Sequence, residues 1–231
     1  MVIDVLRATS TITQALAAGY ERVRCADSLE RALTLAAPGR VLAGERRCRR
    51  PDGFALGNSP AETDPPRGAE LVLATTNGAP AIVCAGALSP TVLIACLLNL
   101  DAVVAAIEGD DVQLLCSGTD GRPALEDTFV AGRIVERLDG LRSDAANVAR
   151  AVARAHGGSA RSAFAACANA RVLVAAGLES DLEWCARESV LEVVPRLTEV
   201  AGGVAVVAPQ PIDETQRLTA DLSLDSIESR T

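Results

Sequence analysis

Aromatic side chains and histidine are nearly missing from this chain of 231 residues. Phe, Tyr and Trp together make up 2% of it, and His156 is its one histidine. A zinc site built on several histidines, a phosphohistidine mechanism and a Ser-His-Asp triad are therefore excluded. The net charge of the chain is −8. We therefore expect no nucleic-acid partner.

Long apolar runs and paired cysteine motifs are missing as well. No run reaches the roughly 20 residues that a membrane-spanning helix needs, so we predict no membrane partner. The seven cysteines form no C-x-x-C pair and mostly lie in apolar segments, as buried free thiols do. An odd number of cysteines without a signal peptide predicts a cytoplasmic location.

Aliphatic side chains are plentiful, and 49% of the residues are hydrophobic. The first half repeats an apolar strand, a polar turn and a helix, with strands predicted at 2–6, 41–43, 71–74, 92–96 and 112–116. This order predicts a three-layer α/β/α fold with a largely parallel or mixed sheet. Further helices are predicted from about 143 to 187, with one clear helix over 162–177, and short strands at 191–194 and 203–207. We predict one domain over 1–207 and a polar C-terminal tail over 208–231.

The segment SGTDGRPALEDT (117–128) follows a predicted strand and is rich in ionisable side chains. Asp120, Glu126 and Asp127 stand beside Arg122, a set that suits a divalent cation bridging to an anion. On a helix that begins near Pro123, Asp127 shares the apolar face, where a carboxylate needs a partner or a metal. Alternatively, Glu126 and Asp127 only occupy the first turn of a helix, where the macrodipole favours acids.

Two acid–arginine pairs lie at the ends of earlier predicted strands. Asp4 stands within the first apolar strand, and Arg7 follows at its end. A buried Asp4 needs a partner or a cation, and Arg7 either forms a salt bridge with Asp4 or binds phosphate. Glu45 and Arg46 repeat the pattern after a second strand.

Hydroxyl and amide side chains follow the same strands. Thr9, Ser10, Asn58, Thr76 and Asn77 are of the types that contact an anion at a helix N-terminus, although some also suit caps or a common Asn-Gly turn. A neighbouring pair, Ser59 and Glu62, predicts a capping box.

Because the ends of parallel strands meet at one edge of a sheet, we expect these residues to form one site. The predicted catalytic residues are Asp4, Arg7, Asp120 and Arg122. The predicted substrate-binding residues are Thr9, Ser10, Arg46, Asn58, Thr76 and Asn77. The predicted metal ligands are Asp4, Glu45, Glu126 and Asp127.

Several segments, in this order, resemble the 2-phosphosulfolactate phosphatase (ComB) family over residues 2 to about 207. They are VIDVLRATST (2–11), GER (44–46), GFALGNSP (53–60), TTNG (75–78), GTDGR (118–122), LEDT (125–128), ANAR (168–171) and DLEWC (181–185). The resemblance implies a Mg²⁺-dependent phosphatase that converts 2-phosphosulfolactate into 3-sulfolactate and phosphate, a product that feeds coenzyme M synthesis in some organisms. Such a substrate carries phosphate, sulfonate and carboxylate groups, which would account for Arg7, Arg46 and Arg122.

The chain departs from the family pattern at three places. Family members carry a further segment before the first strand, whereas Met1 here abuts Val2, which predicts an unpaired sheet edge. They are glycine-rich where this chain reads RCRR (47–50), and usually carry Asp in place of Ala55. Two alternatives therefore stay open: a phosphatase for another phosphorylated 2-hydroxy acid, and a non-catalytic anion-binding relative. The nucleophile (water or an aspartate) and assembly into a homodimer are also open.

Overall fold

The computed structural model describes residues 1–109 and 111–210, and their secondary structure alternates strands with helices. The strands are β1 Val2–Ile3, β2 Arg22–Ala26, β3 Arg40–Gly44, β4 Glu70–Ala74, β5 Ile94–Ala95, β6 Leu115–Cys116, β7 Pro195–Ala201 and β8 Val204–Pro209. The helices are α1 Ala8–Ala18, α2 Leu29–Thr34, α3 Gly78–Leu88, α4 Leu100–Ala105, α5 Leu125–Val135, α6 Asp144–Ala155, α7 Ala160–Ala166, α8 Ala168–Ala175 and α9 Glu179–Cys185. A single 3-10 turn over Pro60–Thr63 lies between β3 and β4.

The strands form two sheets, which are connected by a pair of bridged residues. β5, β1 and β6 are parallel neighbours in that order, and the larger sheet has the order β3-β4-β2-β8-β7. In the larger sheet β3, β4 and β2 are parallel, whereas β8 runs antiparallel to both β2 and β7. An antiparallel bridge between Leu93 and Arg196 connects the two sheets. The sheet is therefore mixed, as predicted.

Helices cover both faces of the joined sheets and complete a three-layer α/β/α fold. On one face, Ile12 of α1 and Ile82 of α3 pack in a single cluster with Val2 and Leu71 from the two sheets. On the other face, α2 covers the larger sheet, and Phe129 of α5 packs with Ile3 on the smaller sheet. The predicted fold class is confirmed. Among the helices of the described residues, none combines the length and the apolar character that crossing a bilayer demands.

The ends of several elements differ from the sequence prediction. The first strand ends at Ile3, so Asp4 lies just beyond the strand, and β1 is paired on both sides. The helix predicted over 162–177 is broken at Cys167, which ends α7 and caps α8. The strand predicted at 191–194 is wrong, because the strand there is β7, which starts at Pro195. The predicted tail lies outside the described residues from 211 onward.

Candidate functional site

The ends of β1, β3, β4 and β6 border a cavity of about 270 Å³. Seven predicted site residues line it, namely Asp4, Arg7, Glu45, Asn58, Thr76, Asn77 and Asp120. A larger cavity of about 360 Å³ lies beside Met1, Leu93 and Gln113, at the opposite ends of the small-sheet strands. We place the chemistry in the smaller cavity because the buried Asp4 and Arg7 line it together. We call it the acidic cavity.

Asp4 is held where two helices begin. Its Oδ1 accepts a hydrogen bond from the backbone N–H of Ala8, the first residue of α1, at 3.4 Å. A side chain would not fit at Gly78, the first residue of α3, because a Cβ atom there would overlap Asp4 Oδ2 and the Ala8 Cβ. The Asp4 carboxylate thus lies against the N-termini of α1 and α3, where backbone dipoles favour negative charge.

Asp127 is 2% exposed and joins the end of β1 to the loop after β6. Its Oδ1 accepts the backbone N–H of Val5 at 3.0 Å. Its Oδ2 accepts the N–H of Gly118 at 3.1 Å and the hydroxyl of Ser117 at 3.3 Å. The sequence placed this carboxylate on the core-facing side of α5, and the structure shows that its partners are mainly backbone donors.

Burial raises the pKa values of two acids of this region, Asp4 and Asp127. Burial raises the pKa of Asp4 to about 6, the Ala8 N–H opposes the shift, and the charges of Glu45 and Glu126 add to it. Burial also raises the pKa of Asp127 well above its ordinary value, and the Asp4 charge adds to that effect. Such crowded carboxylates are stabilised either by protons or by a cation.

Glu45 and Glu126 fix the loops on two sides of the acidic cavity. Glu45 Oε1 accepts the backbone N–H and the hydroxyl of Thr76 at 2.8 and 2.7 Å, and its Oε2 accepts the Cys48 N–H at 3.0 Å. Glu126 accepts a hydrogen bond from the Asn169 side chain, which also donates to Thr119 Oγ1 at 2.7 Å. Both carboxylates are therefore already engaged with protein donors.

The four predicted metal ligands agree with Mg²⁺ in chemical kind, since all offer carboxylate oxygens. Asp4 and Glu45 line the acidic cavity, whereas Glu126 and Asp127 lie behind its wall and are 2% exposed. Over residues 1–109 and 111–210, no three His, Cys, Asp or Glu side chains are grouped closely enough to form a ready-made metal site.

Arg7 pairs with an acid that the sequence did not suggest. Its Nη1 donates to Asp181 Oδ2 at 2.7 Å, so the alternative of an Asp4–Arg7 salt bridge is wrong. The hydroxyl of Ser59 donates to Asp181 Oδ1 at 2.6 Å. The Ser59 side chain accepts no capping hydrogen bond, so the predicted capping box with Glu62 is also wrong. For both Arg7 and Ser59, the partner is Asp181, which is distant in the sequence, and not the nearby residue that was predicted.

The turn Arg46–Arg49 presents a different arginine from the one predicted. The backbones of Arg46 and Arg49 pair, and the two central residues have positive φ, 53° at Arg47 and 62° at Cys48. This conformation reverses the chain within two residues. Arg46 and Arg47 are both exposed, and of the two only Arg47 lines the acidic cavity.

A second tight turn over Thr119–Arg122 lies on the β6 side of the cavity. Asp120 has a φ of 50°, lines the cavity and donates its N–H to Asn77 Oδ1 at 3.3 Å. Arg122 closes the turn through its backbone, is exposed and does not line the cavity. The structure thus brings Asp120 to the site and leaves Arg122 outside it.

Thr9 and Ser10, whose hydroxyls were predicted to bind substrate, lie deeper than expected. Thr9 and Ser10 are fully buried, and their side chains bond the backbone of Asp4 and Val5 instead of facing the cavity. Asn58 does line the cavity, and it is 4% exposed. Its Oδ1 atom is buried and has no hydrogen-bond partner among the described residues.

Three residues of the site were missed from the sequence, namely Arg47, Asn169 and Asp181. Asn169 and Asp181 fall in segments that carried the family resemblance, the ANAR and DLEWC motifs. That resemblance was the available signal, because helix periodicity gives no reason for α8 and α9 to reach the ends of β1 and β6.

Comparison with known proteins agrees with the motif resemblance. A model of the family described as 2-phosphosulpholactate phosphatase matches residues 1–200. The chain belongs to this family. Members of the 2-phosphosulfolactate phosphatase family are phosphoric monoester hydrolases, so the chain is placed among the phosphatases.

Three similar relatives are each named "Probable 2-phosphosulfolactate phosphatase". The protein of Thermotoga petrophila is 39% identical over 203 residues, covering 85% of this chain and 88% of that protein. The Symbiobacterium thermophilum protein is 38% identical over 213 residues, 86% of this chain and 91% of its own length. The Thermus thermophilus protein is 37% identical over 206 residues, with 85% and 86% covered.

Proposed function

We propose that this protein is a Mg²⁺-dependent phosphatase that hydrolyses 2-phosphosulfolactate to 3-sulfolactate and phosphate. The observation that carries the proposal is the juxtaposition, in one small cavity, of a buried carboxylate, Asp4, with the guanidinium of Arg7 and two helix N-termini. The names of the family and of its members supply the substrate. Family membership alone does not identify the residues that bind the substrate or take part in catalysis.

The cavity offers several separate groups to a substrate with three anionic substituents. Arg7 and Arg47 both line it, and guanidinium groups bind phosphate and sulfonate oxygens in a bidentate manner. The amide side chains of Asn58 and Asn77 also line it. We assign Arg7 and Arg47 to two of the anionic groups and these two amides to the third.

We assign Asp4 and Glu45 to hold Mg²⁺, because these two carboxylates line the cavity. Glu126 and Asp127 lie behind them and add negative charge to the same region. When bound, Mg²⁺ would offset the charge on the phosphoryl oxygens. Burial, with the charges of neighbouring acids, raises the pKa values of Asp4 and Asp127, and a cation would offset the negative charge that is costly there.

Hydrolysis forms a bond from an oxygen nucleophile to phosphorus and breaks the bond to the ester oxygen, which then takes a proton. If water attacks, Asp120 is the carboxylate that we assign to accept its proton, since it lines the cavity on an exposed turn. If Asp4 or Asp120 attacks instead, an aspartyl phosphate forms first and water cleaves it. Borohydride reduction during turnover, followed by peptide mass analysis, separates the two routes.

Phosphate release from purified protein tests the proposal. The protein should release phosphate from 2-phosphosulfolactate with Mg²⁺ and lose this activity with a chelator. Equal turnover of phospholactate would indicate a phosphatase for other 2-hydroxy acids, and turnover that survives the chelator would remove the Mg²⁺ requirement. Asp127→Asn should abolish turnover, and the exposed Asp52→Asn is its matched control. No release from any phosphate ester would refute the enzyme assignment.

A further inference from the structure

Asp181 on α9 contacts the site without lining the cavity. It is 2% exposed, and its two carboxylate oxygens have separate partners. Oδ2 accepts from Arg7 Nη1 at 2.7 Å, and Oδ1 accepts from the Ser59 hydroxyl at 2.6 Å. The residue therefore joins the cavity arginine to the start of the 3-10 turn.

The geometry leaves most of the Arg7 guanidinium available. Arg7 lines the cavity, yet within the described residues Nη1 is the only guanidinium nitrogen that donates a hydrogen bond. A guanidinium has five N–H donors in a planar fork, so the Nε and Nη2 donors remain for a ligand. The Asp181 carboxylate thus fixes one corner of the fork and leaves the other edge open.

The surroundings explain why such a fixing group is needed. Asp4, Glu45 and Asp120 all present carboxylates to the same cavity. An unrestrained Arg7 would fold onto one of them, since a long side chain has many rotamers and opposite charges attract. A buried ion pair is in itself a weak source of stability, so stability alone does not account for Asp181.

We propose that Asp181 is a positioning residue that holds Arg7 in the orientation that binds an anionic group of the ligand, with Ser59 fixing Asp181 in turn. The inference deepens the proposed function and rests on it for the identity of the ligand. It gives a role to the DLEWC segment, whose first residue is Asp181.

Binding of inorganic phosphate, measured by titration calorimetry with Mg²⁺ present, tests the proposal without turnover. Asp181→Asn keeps the size of the side chain but removes the charge, and it should weaken phosphate binding by about tenfold, equivalent to roughly 1.4 kcal/mol. Ser59→Ala should weaken it less, by about threefold, because Asp181 keeps its contact with Arg7 and loses only the hydroxyl that fixes it. With 2-phosphosulfolactate, the loss should appear in KM more than in kcat.

A double-mutant cycle decides whether Asp181 acts through Arg7. In an Arg7→Ala background, Asp181→Asn should cause no further loss of phosphate affinity. An equal loss in both backgrounds, or a lower melting temperature with unchanged phosphate affinity, overturns the proposal. If Asp181→Asn does not fold, unchanged phosphate affinity in Ser59→Ala overturns it. Weakened phosphate binding in a protein that hydrolyses no ester supports the positioning role and rejects the proposed function.

Discussion

Replacing Asp4 with Asn should make the metal-free protein more stable at pH 8 while abolishing phosphatase activity. The pKa of Asp4 is raised from 3.8 to about 6, chiefly by burial. Since the folded state binds this proton more tightly than the unfolded state does, stability falls as the pH rises through the window between those two values, and is level above it. The ionised carboxylate consequently destabilises the folded protein at pH 8.

The magnitude follows from the shift. About two pKa units at 1.36 kcal/mol each correspond to roughly 3 kcal/mol. Asn keeps an oxygen for the Ala8 N–H but loses the charge of the acceptor, which costs about 1 kcal/mol. The expected net gain at pH 8 is therefore about 2 kcal/mol, or a rise in melting temperature of about 4–8 °C for a chain of this size.

Thermal unfolding followed by circular dichroism, in chelator and at several pH values from 4 to 8, measures this gain. The difference between variant and wild type should shrink as the pH falls toward 4. Asp52→Asn, at an exposed turn position, is the control and should leave stability within about 0.5 kcal/mol. A variant that is less stable than the wild type at pH 8, or a difference that does not depend on pH, would refute the reasoning. Added Mg²⁺ should stabilise the wild type more than the variant.

Three further substitutions test separate parts of the structure. Gly78→Ala should destabilise the protein by about 1–3 kcal/mol and abolish phosphate release, because its Cβ would overlap the Asp4 carboxylate. Glu70→Gln should lower stability above pH 5, and the difference should vanish as the pH falls toward 2, because arginines on neighbouring strands lower the Glu70 pKa to about 2; urea unfolding measures it. Arg47→Ala should raise KM about tenfold, whereas Arg46→Ala should change KM less than twofold in the same assay.

Each of these three predictions has a control or an outcome that would contradict it. Gly57→Ala, where a Cβ would meet only the flexible Glu62 carboxylate, is the matched glycine control and should be tolerated. A Glu70 effect that grows toward low pH would have the wrong sign for a carboxylate that is favoured in its ionised form. Equal KM values for Arg47→Ala and Arg46→Ala would mean that the substrate does not contact Arg47 in preference to Arg46.

The fold and the burial of the site acids could be predicted from the sequence. Apolar strands followed by polar turns give the α/β order, and periodicity places Asp127 on the core-facing side of its helix. Such patterns depend on neighbours along the chain or on one helix face. For that reason they hold even where the exact strand ends are off by a few residues.

The partners of the site residues could not be predicted in this way. Arg7 and Asp181 are separated by 174 positions, and no local rule pairs them. Ser59 satisfies the sequence pattern of a capping box, yet its hydroxyl donates to Asp181, 122 positions away, and accepts no capping N–H. The choice between Arg46 and Arg47 depends on two positive φ angles that non-glycine residues rarely adopt.

The two tight turns that face the acidic cavity have a consequence for how the family can diversify. Asp4 and Asp127 are buried at element ends, whereas the central residues of the turns, Arg47 and Asp120, are exposed. A lineage can replace these turn residues at little cost to folding and so alter which anion is selected, while the acids stay where they are.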